Sequence, residues 1–196
     1  MYVVVGNAVS RAARVLWMLE ELGQPYEHRP EPPRSAAVRA LNPSGKIPVL
    51  LDGETVVTDS TAILTYLADR HGAFTHAPGT PARARQDAMT FRVLDEIEGA
   101  LWTAARHSFV LPEERRVPEV KESLRWEYAR NLDRLMDEME TPYLAGDAPT
   151  VPDIVLAHCG AWARAAKFPD GDDRFAAYLR RMRARPAFAR ARDRMG

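Results

Sequence analysis

Cys159 is the only cysteine in a chain of 196 residues. It has no partner for an internal disulfide, which excludes a stapled secreted scaffold. Neither sign of charge is in excess, since 27 Lys and Arg balance 27 Asp and Glu. No whole-chain field therefore recruits nucleic acid or a membrane surface. Apolar runs are short, none approaching the roughly 20 residues that span a bilayer. The start, Met1-Tyr2-Val3-Val4-Val5-Gly6, lacks a basic region and an extended apolar region, so no signal peptide is expected. His28, His71, His76, His107 and His158 have no metal-ligand spacing and no cysteine partners, so no metal is expected. The expectation left by these absences is a soluble, cytoplasmic globular protein. At roughly 100–200 residues per domain, the length suits one large domain or two small ones. Either buries a core without staples.

The pattern changes near residue 73. Before it, Tyr2 to Val5 reads as a buried strand closed by Gly6-Asn7. From Ser10, the residues Ala12, Val15, Leu16, Leu19 and Leu22 follow helical spacing, with Gly23 as the stop. Tyr26 to Arg29 is a second strand, and a short helix is expected from about Arg34 to Leu41. Pro48 to Leu51 and Thr55 to Val57 flank Asp52-Gly53-Glu54, a strong hairpin signal. A helix follows from Asp59 to about Arg70. The expected order is βαβαββα. Residues 74–81 read as a linker, and 82–196 as an all-helical domain. In that domain one long helix carries Ala84 to Trp102, a second Leu124 to Met139, and a third, apolar nearly all round, Ile154 to Ala166. Two short Arg-rich helices end the chain. Its last 26 residues hold eight Arg against three Asp, read as a solvated face.

Three places in the first half carry chemistry. Ser10 falls where the first strand gives way to the first helix. It is a preferred N-cap type, and in the same position its hydroxyl can donate to a thiolate beside the positive end of a helix. Asn42-Pro43-Ser44-Gly45-Lys46-Ile47-Pro48-Val49-Leu50 opens a strand on a proline. A cis Ile47–Pro48 bond would turn the backbone of Ile47 outward, free to pair with an extended ligand. Asp59-Ser60 starts the third helix. As structure it is a cap; as chemistry it offers a carboxylate for an ammonium, and a hydroxyl with helix N–H groups for a carboxylate.

These residues resemble the glutathione S-transferase superfamily. The resemblance rests on Ser10 with Arg14-Val15, on Leu19-Glu20-Glu21-Leu22-Gly23-Gln24-Pro25-Tyr26-Glu27, on Asn42 to Leu50, and on Asp59-Ser60-Thr61-Ala62-Ile63 with Tyr66-Leu67. In the second half, Thr150-Val151-Pro152-Asp153-Ile154 looks like the family's capping box, with Pro152 where Ala is usual. The resemblance implies a thioredoxin-like α/β domain at 1–73 followed by an all-α domain. It implies glutathione as co-substrate, no metal, and a thiolate that attacks a hydrophobic electrophile. Aromatic substitution, conjugate addition, dehalogenation and peroxide reduction are all open to such an enzyme, as is isomerisation.

The roles that the resemblance implies attach to single residues. Ser10 is the catalytic position, with Asn7 as a second donor. Tyr-type and Cys-type classes are excluded, because no Tyr stands near Asn7 and Cys159 reads as an inert core residue. Lys46 meets the glycine carboxylate, Ile47 with Pro48 pairs with the cysteinyl unit, and Asp59 with Ser60 holds the γ-glutamyl end. Asp59 is shorter than the family's usual Glu or Gln. Trp102, Arg106 and His107 read either as core or as lining of a second-substrate pocket. A free thiol has a pKa of about 8.5. Making it a hundredfold more acidic requires about 2.7 kcal/mol. A hydrogen bond to a charged acceptor supplies about 1.5–3 kcal/mol, and a helix terminus about 1–2 more, so no catalytic base is required. A homodimer, a detoxification role and a cytoplasmic location accompany the resemblance. The rival reading is a non-catalytic binding or interaction protein of the same fold.

Overall fold

The computed structural model describes residues 1–195. The chain forms two compact units: Met1–Pro78 together with the chain from Met182, and Gly79–Arg181. The break falls inside the expected 74–81 linker. The chain after Met182, however, belongs with the first unit and not with the helical domain expected over 82–196.

In the first unit, β1 (Tyr2–Val5) pairs in parallel with β2 (Tyr26–Arg29) and antiparallel with β3 (Val49–Asp52), which pairs antiparallel with β4 (Thr55–Thr58). The sheet order is β2-β1-β3-β4. The Val-rich β1 lies at its interior and is buried along most of its length, as expected of a strand flanked on both sides. Three helices, α1 (Ala12–Glu21), α2 (Ala36–Leu41) and α3 (Ser60–His71), complete the βαβαββα order of a thioredoxin-like fold. Val15, Leu16, Met18, Leu19, Ile63, Leu64 and Leu67 are all completely buried. Burying such side chains stabilises by about 1.5–3 kcal/mol each.

The last helix, α9 (Pro186–Met195), packs on α1. Trp17 and Phe188 meet edge to face at 4.9 Å. Glu21 accepts from Trp17 Nε1 at 2.9 Å, from Arg185 Nε at 2.6 Å and from Arg185 Nη2 at 2.8 Å. Glu20 accepts from Arg190 Nε at 2.9 Å and from the Tyr26 hydroxyl at 3.0 Å, and its Oε1 forms an ion pair with Arg194 Nε at 3.0 Å. The Arg-rich ending is therefore a clamp on two nearly buried carboxylates, where its composition suggested a solvated face. Local charge counting could not show this, because Glu20 and Glu21 lie more than 160 residues away in the chain. Glu21→Ala leaves three donors without their acceptor. It is expected to cost about 2 kcal/mol, or about 4–8 °C in Tm, by calorimetry. An unchanged Tm would contradict the clamp.

The second unit holds α4 (Pro81–Arg92), α5 (Gly99–Ala105), α6 (Val120–Asp137) and α7 (Val151–Ala165), and α8 (Asp173–Arg183) begins in it. The single long helix expected from Ala84 to Trp102 is interrupted. A π-helical segment, Val93–Glu98, separates α4 from α5, and a second, Arg106–Val110, follows α5. Their wider turns insert extra residues, which a 3.6-residue pattern does not register. Gly160 lies in the middle of α7 because a Cβ there would sit 2.9 Å from Leu179 Cδ1 on α8. Helix α7 starts at the expected capping box. Asp153 Oδ2 accepts from the Thr150 N–H at 2.8 Å and from the Thr150 hydroxyl at 3.1 Å. Asp153 Oδ1 accepts from the Leu144 N–H and the Tyr178 hydroxyl, both at 2.9 Å. Cys159 is buried. Among the described residues no helix is long and apolar enough to cross a membrane, and no group of His, Cys, Asp and Glu is placed to hold a metal ion.

Candidate functional site

Ser10 lies in the turn between β1 and α1, two residues before the helix begins. The N-cap of α1 is Arg11, and Ser10 Oγ, one residue earlier, accepts from the Ala12 N–H at 3.1 Å, one of the helix's orphan donors. The same hydroxyl donates to the Asn7 carbonyl at 2.7 Å. That carbonyl also accepts from the Ser10 N–H at 3.2 Å. The hydroxyl proton can therefore leave it for a sulfur atom without stranding a buried acceptor. Asn7 Oδ1 is buried and has no hydrogen-bond partner among the described residues.

Gly6 holds the next segment against this turn. It has φ +141°, and a Cβ on it would stand 3.0 Å from Ile47 Cβ and 3.3 Å from Ala12 Cβ. Only glycine suits both the conformation and the approach. Ile47 is thereby packed beside the start of α1. The Ile47–Pro48 bond is cis. Neither the N–H nor the C=O of Ile47 forms a hydrogen bond among the described residues. Beside it, Lys46 is exposed and its ammonium makes no ion pair there. The loop is braced from within: Asn42 Nδ2 donates to the Lys46 carbonyl at 2.9 Å, and the Lys46 N–H to Ser44 Oγ at 3.3 Å. Pro48 is buried.

The third segment is the start of α3. Asp59 is its N-cap, outside the helix that the sequence placed it in. It adopts φ +71°, a conformation rarely taken by residues other than glycine. Its Oδ1 accepts from the Thr61 N–H at 2.9 Å and the Ala62 N–H at 3.1 Å, so the carboxylate does cap. Both bonds use one oxygen, Oδ1, of an exposed residue. Ser60 is 2% exposed, more enclosed than a ligand contact read from sequence would suggest. Arg14 Nη1 donates to Ser60 Oγ at 3.2 Å. This bond joins the first turn of α1 to the first residue of α3.

Trp102, Arg106 and His107 belong to the second unit. All three are half-buried on α5 and the π segment after it. Arg106 Nη2 donates to Thr103 Oγ1 at 3.0 Å, and His107 Nδ1 accepts from the Val117 N–H at 3.0 Å. The groove of about 160 Å³ in that unit is lined instead by Leu101, Ala104, Ser108, Phe109 and Trp162, among others. Sequence reasoning missed Arg14 as more than a motif residue. Its signal was a basic residue within an otherwise apolar helix face, since Val15, Leu16, Met18 and Leu19 surround it.

Residues 6–78 match the family model described as glutathione S-transferase, N-terminal domain. A putative glutathione S-transferase alpha-2 of Dictyostelium discoideum is 26% identical over 151 residues, which is 77% of this chain and 67% of that protein. The crystal structure of a glutathione transferase from Methylococcus capsulatus superposes with a TM-score of 0.81 at 26% identity, covering 100% of this chain and 99% of that one. The theta class glutathione S-transferase of Xanthomonas axonopodis pv. citri, solved with glutathione bound, gives 0.80 at 26% identity, covering 97% and 96%. The strand order, the match over residues 6–78 and the relatives aligned along the chain together support membership of the glutathione S-transferase superfamily.

Proposed function

We propose that the chain is a glutathione transferase in which Ser10 stabilises the bound thiolate for attack on a hydrophobic electrophile. The observation that carries this reading is the Ser10 hydroxyl itself. It is fixed by the Ala12 N–H at a helix N-terminus, and its proton rests on a carbonyl with a second donor. A hydroxyl so placed donates to sulfur and is too weakly acidic to be the nucleophile. The xanthomonad relative, whose structure holds glutathione, supports the choice of ligand.

The remaining roles follow the shape of the tripeptide. The unpaired Ile47 backbone, presented beside Pro48, takes the cysteinyl unit as a short antiparallel pairing. Lys46 meets the glycine carboxylate. Asp59 Oδ2 takes the γ-glutamyl ammonium, and Ser60 the carboxylate beside it. Peroxide reduction is a side activity of the same thiolate. A homodimer, a cytoplasmic location and a detoxification role go with the assignment.

Calorimetric titration of glutathione tests the reading. Binding in the micromolar to low millimolar range is expected, and no binding at millimolar glutathione would overturn it. Lys46→Ala is expected to raise the Kd about three- to tenfold, the size of one exposed charge-assisted contact. It should also flatten the dependence of Kd on salt. A Kd unchanged by this substitution would remove Lys46 from the site.

A further inference from the structure

The ladder between β1 and β2 breaks where the chain turns towards Ser10. Val5 pairs with Arg29, so the next pair would be Gly6 with Pro30. Gly6 completes half of that step, since its N–H donates to the Arg29 carbonyl at 2.9 Å. In a parallel ladder its carbonyl would accept from the residue after Pro30. The Glu31 N–H instead folds back and donates to the Arg29 carbonyl at 2.8 Å, and Pro30 has no N–H to offer. Gly6 is buried, and a buried carbonyl without a donor is costly. A side chain supplies the donor. His28 Nε2 lies 2.8 Å from the Gly6 oxygen. A carbonyl only accepts, so Nε2 is the ring nitrogen that carries a proton.

The effect reaches Ser10 through the backbone. The Gly6–Asn7 peptide is held at both ends, its C=O by His28 and its N–H by the Glu31 carbonyl at 3.0 Å. That sets the direction of the Asn7 carbonyl, on which the Ser10 hydroxyl rests at 2.7 Å. Among the described residues His28 is the one donor to the Gly6 oxygen. Without it the peptide is free to rotate, because Gly6 has no Cβ to resist the change. The Asn7 carbonyl then leaves the line of the hydroxyl.

Resting on the reading of Ser10 as the donor to the thiolate, we propose that His28 is the positioning residue for the Ser10 hydroxyl. It acts through the Gly6–Asn7 peptide and touches neither reactant.

The test compares His28→Leu, which keeps bulk and removes the donor, with His28→Gln, whose amide can donate in the same direction. With glutathione saturating, the thiolate transition of His28→Leu is expected about 0.5–1 pH unit above that of wild type, with kcat/KM at pH 7 lowered about three- to tenfold and the Kd within about twofold. His28→Gln should restore most of both. In a Ser10→Ala background, His28→Leu should cost less than about a further twofold, because it acts through that hydroxyl. A loss by the same factor with and without Ser10 makes His28 a structural tie only and overturns the proposal. So does a thiolate transition that His28→Leu leaves unmoved. His28→Asn, too short to reach the Gly6 oxygen, decides the matter if His28→Leu fails to fold. Wild type whose bound thiol titrates like a free one defeats the Ser10 reading itself. That outcome is distinct from a low wild-type transition that the His28 variants share, which defeats this proposal alone.

Discussion

Ser10→Ala is expected to lower kcat/KM for conjugation at pH 7 by about 10–100-fold, with the Kd for glutathione changed less than about threefold. The size follows from the loss of one hydrogen bond to a charged acceptor, about 1.5–3 kcal/mol. Part of the stabilisation survives, because the N-terminal field of α1 does not depend on the hydroxyl. The loss should also depend on pH. Once the pH exceeds the pKa of a free thiol, about 8.5, the variant's bound thiol ionises unaided. The gap between variant and wild type should therefore narrow to a few-fold near pH 9. Loss of a cap is a separate effect of this substitution, because the Ala12 N–H loses its partner. It costs about 1 kcal/mol of stability and would show in Tm without any dependence on pH. A rate loss of the same factor across the whole range would assign Ser10 to structure alone.

The second large effect lies in the helical unit. Asp153→Ala should destabilise by about 4–5 kcal/mol, the range reserved for losing a buried polar network. That is about 8–20 °C in Tm for a chain of this size. The carboxylate is fully buried and accepts four hydrogen bonds, two from Thr150 and one each from Leu144 and Tyr178. Removing it strands every donor in a dry place. Asp153→Asn keeps one acceptor oxygen and turns a donor towards the others, so it should recover less than half of the loss. Burial pushes the carboxyl above its ordinary value, against the pull of the hydrogen bonds from Leu144, Thr150 and Tyr178. A raised folded-state pKa binds the proton more tightly than the unfolded chain does. The charge-linked part of its stability is therefore full below about pH 4 and declines as the pH rises through the folded-state titration. Asp153→Ala should lose that slope along with the stability. A loss below about 1 kcal/mol would mean that the box is replaceable.

Much of this was legible in local patterns, because it is made locally. A Val-rich run before Gly6, an Asp-Gly turn between two short strands, and a Thr-to-Asp spacing before an apolar helix each report an energy spent within a few residues. The segments Ser10, Ile47 and Asp59-Ser60 were legible for the same reason, since each sits at an element boundary with a distinctive residue. What was not legible is set by distance along the chain or by a single inserted residue. The clamp of Arg185, Arg190 and Arg194 on Glu20 and Glu21 joins the two ends of the sequence. The union of Arg14 with Ser60 spans 46 residues and reverses the usual expectation that arginine faces water. The π segments at Val93–Glu98 and Arg106–Val110 shift the helical phase without changing composition. The left-handed φ of Asp59 is likewise imposed by its surroundings, since nothing in its neighbours' identities requires it.

The central claim is that Ser10 makes a bound thiol acidic, and absorbance of the thiolate against pH measures that directly. With glutathione saturating wild type, the transition is expected near pH 6.5, where a free thiol titrates at about 8.5. In Ser10→Ala, with binding intact, it should move most of the way back. A wild-type transition at the free-thiol value, or one that stays low in the variant, would contradict the account.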